Sequence, residues 1–343
     1  MGEVSIGVAV RLGWFLVMAM VEVCGAFRGL GISGSSVQEQ VEWEPGRQRE
    51  ALSVEASTDQ ESFSALPAGD ADGAEVIFPF LCMRIAGLQL AGFVWTAYNS
   101  KLNFVSLTEN PLVGPAAEVL RDSGSTCATC MDGMSGQHSY WRLLTSSILH
   151  GGLLHLVLNV CGMFIVGATL ERRYGLRRLF PIALISSVMG NLASAVFVPC
   201  HYSVGASTVH FGLLGAAMVV RWQVPEDHRL PLANSSFFVA GWNAMLAMMP
   251  LVDVFGIAAS LVVGVLLGYV ILSPPPPPHT RYYFDVASRL VFFTIGVAFI
   301  GGLVVLHFQA DGLHAECWCE TCAALSCMPY GFWECPMTVV LDH

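Results

Sequence analysis

Seven stretches of this chain are apolar for long enough to cross a bilayer, and nothing else in it limits the fold as strongly. They lie near 79–99, 146–169, 179–199, 204–222, 235–252, 254–273 and 288–308, the fifth being the shortest. A helix needs roughly 17–25 such residues to span hydrocarbon, because each backbone N–H and C=O must find its partner inside the segment. Of all residues 54% are hydrophobic and 12% charged, against roughly 25% charged in a soluble domain. The expected fold class is therefore an all-α polytopic membrane protein, its membrane domain spanning 79–308 between an N-terminal extension, 1–78, and a Cys-rich tail, 309–343.

The net charge of -10 describes the extension rather than the membrane domain. Residues 35–75 hold ten acidic side chains against Arg47 and Arg49, which accounts for eight of the ten excess charges. That Ser/Gly/Ala-rich, aromatic-poor segment reads as a solvated tail, and the lack of a basic patch argues against nucleic acid as a partner. Arginines orient the spans. Arg172, Arg173, Arg177, Arg178, Arg221, Arg229, Arg281 and Arg289 fall on one side, and Lys101, Arg121 and Arg142 on the other. This puts the start of the first span in the cytosol and the C-terminus outside it. Residues 12–27 look like a targeting or signal segment interrupted by Glu22; cleavage there would reverse the first span, against the arginine distribution.

Cys127, Cys130, Cys200, Cys317, Cys319, Cys322, Cys327 and Cys335 then lie on the non-cytosolic side. An even number in an oxidising compartment favours disulfides, the alternative being zinc held by the CWCETC thiols. No metal or other cofactor is required by the sequence. The PPPPP run at 274–278 ends the sixth span.

Polar groups inside a span are expensive and need a partner or a purpose. His155 and Asn159 are four residues apart in HGGLLHLVLN and share a helix face; interhelical hydrogen bonding is the plain alternative to a functional role. Glu171 in GATLERRYG reads as a partner for nearby backbone or arginine. Ser207, in SVGASTVHFGLLGA, stands at a helix start among Gly205, Ala206, Gly212, Gly215, Ala216 and Ala217. Small residues there let helices approach closely, and an unpaired N–H at a helix start can face an oxyanion. Near-absence of intramembrane acids disfavours a transporter or channel.

The ordered set of Trp141 and Arg142, HGGLLHLVLN, GATLERRYG and VGASTVHFG resembles the rhomboid family of intramembrane serine proteases. The NPLVGP segment (Asn110 to Pro115), the seventh span and the Cys-rich tail resemble the eukaryotic secretory-pathway branch. The resemblance implies a rhomboid six-helix bundle plus a seventh C-terminal transmembrane helix, and cleavage of transmembrane helices of single-span proteins within the bilayer. It implies single-span substrates or clients as partners, and a secretory-pathway or plasma-membrane location. It places Ser207 at the nucleophile position, and His155, Asn159 and the Ser207 N–H at the oxyanion positions. Trp141, Arg142, His150, Glu171, Phe211 and Gly212 take structural positions. Arg142, Glu171 and His150 would hold the first loop and second span together, and Phe211 would pack against the base.

The base departs from the family pattern. Where the family has a sixth-span histidine, VDVFGIAASLVVG places Ile257, with Val252, Asp253, Gly264 and Gly268 fixing the register. Ala259 and Ser260 replace a glycine pair, which should loosen the contact with the fourth span, and Thr208 replaces the glycine after the nucleophile. A serine hydroxyl without a base is a weak nucleophile, and losing a triad member reduces the rate by roughly 10⁴–10⁶. The expectation is a proteolytically impaired protein that binds transmembrane clients; the alternative is an active endopeptidase using Ser207 with His210 or another base.

Overall fold

In the computed structural model of the protein the structure describes residues 78–127, 139–199, 201–223, 241, 252–273, 282–309 and 320–326. The N-terminal extension through residue 77, nearly all of the fifth apolar run, the proline run and most of the tail lie outside the described residues.

The described chain is helical, and the one pairing of extended backbone is an isolated bridge between Thr126 and Ser203. In order come α1 (Phe80–Asn99), α2 (Ala117–Ser123) and α3 (Arg142–Thr145), which runs into a 3-10 turn at Ser146–Ile148. Then follow α4 (Leu153–Tyr174), α5 (Leu176–Phe197), α6 (Ala206–Gln223), α7 (Val254–Leu272), α8 (Tyr282–Gln309) and α9 (Glu320–Ser326). Five of them, α1, α4, α5, α7 and α8, are long and apolar enough to cross a membrane. This is the all-α polytopic membrane architecture expected from the apolar runs.

The second span begins later than its apolar run does. It is helical from Leu153 rather than 146, because Gly152 is fully extended, with φ 177° and ψ -179°. The first loop holds it so. Asn110 donates to the Gly151 carbonyl at 2.7 Å and to the Pro115 carbonyl at 3.0 Å, and accepts from the Leu112 N–H at 3.0 Å. The carbonyls of Leu112 and Val113 accept the Leu154 and Leu153 amides at 3.1 and 2.9 Å. The NPLVGP loop thus supplies partners to helix-start amides that have none within the helix. At the other end of α4, Met163–Gly167 winds as a π-turn.

The central helix is α6, 14 of whose 18 residues are buried. It is wedged between α4, α5 and α7, and glycines let it approach α5 and α7 closely. A Cβ on Gly212 would meet Ser186 Cβ of α5 at 2.3 Å; one on Gly264 of α7 would meet the Gly212 carbonyl oxygen at 2.1 Å. One on Gly215 would meet the Leu261 oxygen at 2.4 Å, and one on Gly268 the Ala216 Cα at 2.7 Å. The substitutions at Ala259 and Ser260 therefore do not part the two helices. Ser260 folds its hydroxyl back onto the Ile257 carbonyl at 2.8 Å, while Ala259 packs away from α6 with Leu192, Ala193 and Leu303.

Candidate functional site

The order of contacts along α6 sets the depth of each candidate residue. Gly162 of α4 lies against the His210 ring, where an added Cβ would sit 2.0 Å from Cε1, and Gly167 lies against Leu213. Contact partners rise in number together, so α4 and α6 run in the same direction. Asn159 and Ser207 each lie three residues before the Gly162–His210 contact and are therefore at one depth. The start of α6 is fixed by the Gly205 N–H donating to the Ser146 carbonyl at 2.9 Å.

On α4, His155 and Asn159 are fully buried. The Gly151 N–H donates to His155 Nδ1 at 3.4 Å. A ring nitrogen that accepts is unprotonated, so in the neutral ring Nε2 carries the hydrogen, and Nε2 has no partner among the described residues. It is a donor left available at the site. The Asn159 amide nitrogen donates to the His155 carbonyl at 2.9 Å, leaving Oδ1 without a partner among the described residues. His150 stands edge-on to His155, ring centroids 5.2 Å apart.

Ser207 is 3% exposed. Next to it, the Thr208 hydroxyl bonds the Gly205 carbonyl and, at 2.9 Å, Ser187; Ser187 bonds Ser147 at 2.6 Å. Asn191 donates to Ser147 at 2.9 Å and to the Leu143 carbonyl at 2.7 Å. This hydroxyl chain stitches α3, α5 and α6 together beside the serine. Sequence reasoning missed it, since isolated Ser, Thr and Asn residues on three separate segments carry no spacing signal.

Among the described residues no imidazole bonds Ser207 to complete a dyad. Both His210 nitrogens are buried with no hydrogen-bond partner among the described residues, and the ring is turned onto Gly162 of α4, so it does not bond Ser207. Position 257 lies four residues before Leu261 and seven before Gly264, both in contact with α6, which puts it on the same face of α7. Ile257 is buried there in one apolar cluster with Val209 and Phe211. By a rise of about 1.5 Å per residue, Ile257 lies about 10.5 Å before Gly264 and Ser207 about 7.5 Å before Gly212. The two positions are within one helical turn in depth.

The remaining candidates hold the scaffold and do not meet at Ser207. Arg142 donates to the carbonyls of Arg121 and Ser125 at 2.6 and 3.1 Å, fastening α2, and burial lowers its pKa from the ordinary value. Trp141 is half-exposed, with the Arg142 guanidinium 4.9 Å from its ring centroid. Glu171 sits at the far end of α4 and accepts the Leu81 and Cys82 amides at 2.7 and 3.0 Å. It ties the second span to the first span rather than to the first loop. Asp253, a register mark in the sequence, caps α7 by accepting the Phe255 and Gly256 amides at 3.0 and 2.8 Å.

Cys127 and Cys322 are disulfide-bonded, so Cys322 is not a thiolate for zinc, whereas Cys82 and Cys161 are thiols. Cys130, Cys200, Cys317, Cys319, Cys327 and Cys335 lie outside the described residues. Among the described residues no three His, Cys, Asp or Glu side chains cluster as metal ligands.

Fold and site together define a helical polytopic membrane protein with a serine heading its central helix and a His/Asn pair on the parallel neighbour. The Rhomboid domain family model matches residues 137–274. The chain is 30% identical over 251 residues to RHOMBOID-like protein 6, mitochondrial, of Arabidopsis thaliana, covering 68% of this chain and 80% of that protein. It is 32% identical over 248 residues to RHOMBOID-like protein 2 of the same plant, covering 68% and 77%. It is 31% identical over 256 residues to Inactive RHOMBOID-like protein 8, covering 68% and 72%. The chain belongs to the rhomboid family.

Proposed function

We propose that this protein keeps the transmembrane-helix-binding groove of a rhomboid protease but has lost efficient peptide hydrolysis, and that it binds single-span membrane clients. Ser207 stands at the nucleophile position, and His155 Nε2–H, Asn159 and the Ser207 N–H at the oxyanion positions. The observation that carries the reading is Ile257, a branched alkyl group on the α6-facing side of α7 at the depth of Ser207. A hydroxyl in that setting has no group among the described residues to take its proton, and donors that stabilise an oxyanion do not supply one. The alternative base, His210, is favoured by sequence proximity alone, since its ring faces Gly162. That two relatives are named inactive is in keeping with this reading. The disulfides at Cys127 and Cys322 support residence in an oxidising compartment, the secretory pathway or plasma membrane.

The test is cleavage of a single-span reporter by the full chain in proteoliposomes, with reporter co-capture as the binding readout. The expected result is co-capture without cleavage that depends on Ser207. Turnover by the unsubstituted chain that Ser207→Ala abolishes would overturn the proposal.

A further inference from the structure

The tail helix α9 closes on the Ser207 end of the bundle through one residue, Asp253. Its carboxylate is 5% exposed and is bonded from three directions. The Phe255 and Gly256 amides reach it from the start of α7, Ser194 Oγ of α5 donates at 2.5 Å, and Ser326 Oγ of α9 donates at 2.9 Å. Ser326 and Cys322 are 4% and 8% exposed, while Leu325 is 45% exposed. Residues four apart share a helix face, so α9 presents 322 and 326 inward and Leu325 outward. A helix of seven residues is too short to hold its shape in water, where roughly 12–15 are needed. Its order derives from docking at Ser326 and from the disulfide at Cys322.

The last span carries the tail to this place. Helix α8 lies along α7, with Tyr269 and Phe292 stacked at 4.0 Å and Tyr269 bonded to Ser288 at 2.9 Å. Near its end His307 meets the ring of Tyr140, ahead of α3, at 5.8 Å. Asp253 stands four residues before Ile257, about 6 Å along the α7 axis.

We propose that α9 is a lid: it is the built-in occupant of the surface formed by the end of α5 and the start of α7, and it shields position 257 and the neighbouring Ser207 end from the aqueous side. Ser326 is its latch and Asp253 the catch. The lid does not depend on the catalytic state of Ser207, and its test uses no cleavage.

The full chain in nanodiscs carries Ile257→Cys, with or without Ser326→Ala, and is exposed to a water-soluble maleimide. Labelling of the peptide containing position 257 is read by mass spectrometry. In parallel, hydrogen exchange across 320–326 is followed with and without Ser326→Ala, Ile257 being left in place. Loss of one buried hydrogen bond to a carboxylate should raise both rates about tenfold, whereas Leu325→Ala on the outer face should leave both unchanged. Equal labelling at 257 with and without the latch, equal exchange in 320–326, or an acceleration by Leu325→Ala as large as that by Ser326→Ala would each overturn the proposal.

Discussion

Glu171 offers a direct measure of how the first span is held, since the amides at the head of α1 can be accounted for one by one. The Phe80 N–H donates to the Phe78 carbonyl at 2.8 Å and the Met83 N–H to the Pro79 carbonyl at 3.1 Å. Between them, Leu81 and Cys82 donate to the two carboxylate oxygens of Glu171, which is 2% exposed. No side chain of α1 itself caps these groups. A hydrogen bond to a carboxylate contributes about 1.5–3 kcal/mol, and an abandoned buried donor carries a desolvation penalty of similar size. Glu171→Ala should therefore destabilise the protein by about 3–6 kcal/mol. Glu171→Gln keeps one acceptor oxygen and turns an NH2 toward the second amide, so it should lose about 2–3 kcal/mol. Reversible unfolding in mixed micelles, titrated with SDS, gives the difference, and hydrogen exchange at the 81 and 82 amides locates it. A loss under about 1 kcal/mol for Glu171→Ala, with unchanged exchange at those amides, would refute the assignment of Glu171 as the cap of α1.

Gly264→Ala should destabilise by about 1–3 kcal/mol or more, because its Cβ would press on the Gly212 backbone and the helices must part; Gly296→Ala, whose Cβ would lie 3.8 Å from Leu266 Cβ, should be neutral or slightly stabilising in the same assay. If the two variants unfold alike, backbone contact between α6 and α7 is not what sets stability. Burial lowers the pKa of His201 below its ordinary 6.5, with the nearby Asp253 pulling the other way. The folded state thus binds fewer protons at this ring than the unfolded state, so its contribution is complete above about pH 6.5 and is lost as pH falls below it. Melting temperatures between pH 7.5 and 5.5 should fall less steeply for His201→Gln than for the parent chain, and equal slopes would exclude the ring as a contributor.

The sequence speaks clearly about features that depend on composition over many residues. Apolar runs locate α1, α5, α6 and α7 within three residues, because hydrocarbon demands unbroken apolar helix, whereas α8 begins six residues before its run. The start of α4 escaped that logic. Residues 146–152 read SSILHGG, and the helix begins only after Gly152, which is fully extended, with Asn110 bonding the Gly151 carbonyl from 41 residues away. Glu171 was legible as a backbone partner but not as a partner of the first span. Asp253 ahead of an apolar run was a readable helix cap, whereas its bonds to Ser194 and Ser326 needed three segments brought together. Gly264 and Gly268 fixed the register in the sequence, and in the fold they touch Gly212 and Ala216 of α6. That agreement places Ile257 without appeal to the missing imidazole.

Framework and chemistry are separable in this bundle. What holds α6 in place is glycine-mediated contact at 212, 215, 264 and 268 and the hydroxyl chain from Thr208 to Asn191. None of these contacts involves the side chain at 257. An imidazole there would be a buried polar ring, which is unfavourable unless it finds a hydrogen-bond partner, and position 257 belongs to the apolar core cluster that also contains Val209 and Phe211. Isoleucine instead adds buried apolar area at about 25 cal/mol per Å² and leaves no group unsatisfied. On the proposed reading, the exchange of base for alkyl group removes a reaction step and leaves the framework contacts intact. Under the proposed function, a chain that holds a helix rather than cutting one would have no physical reason to carry the imidazole.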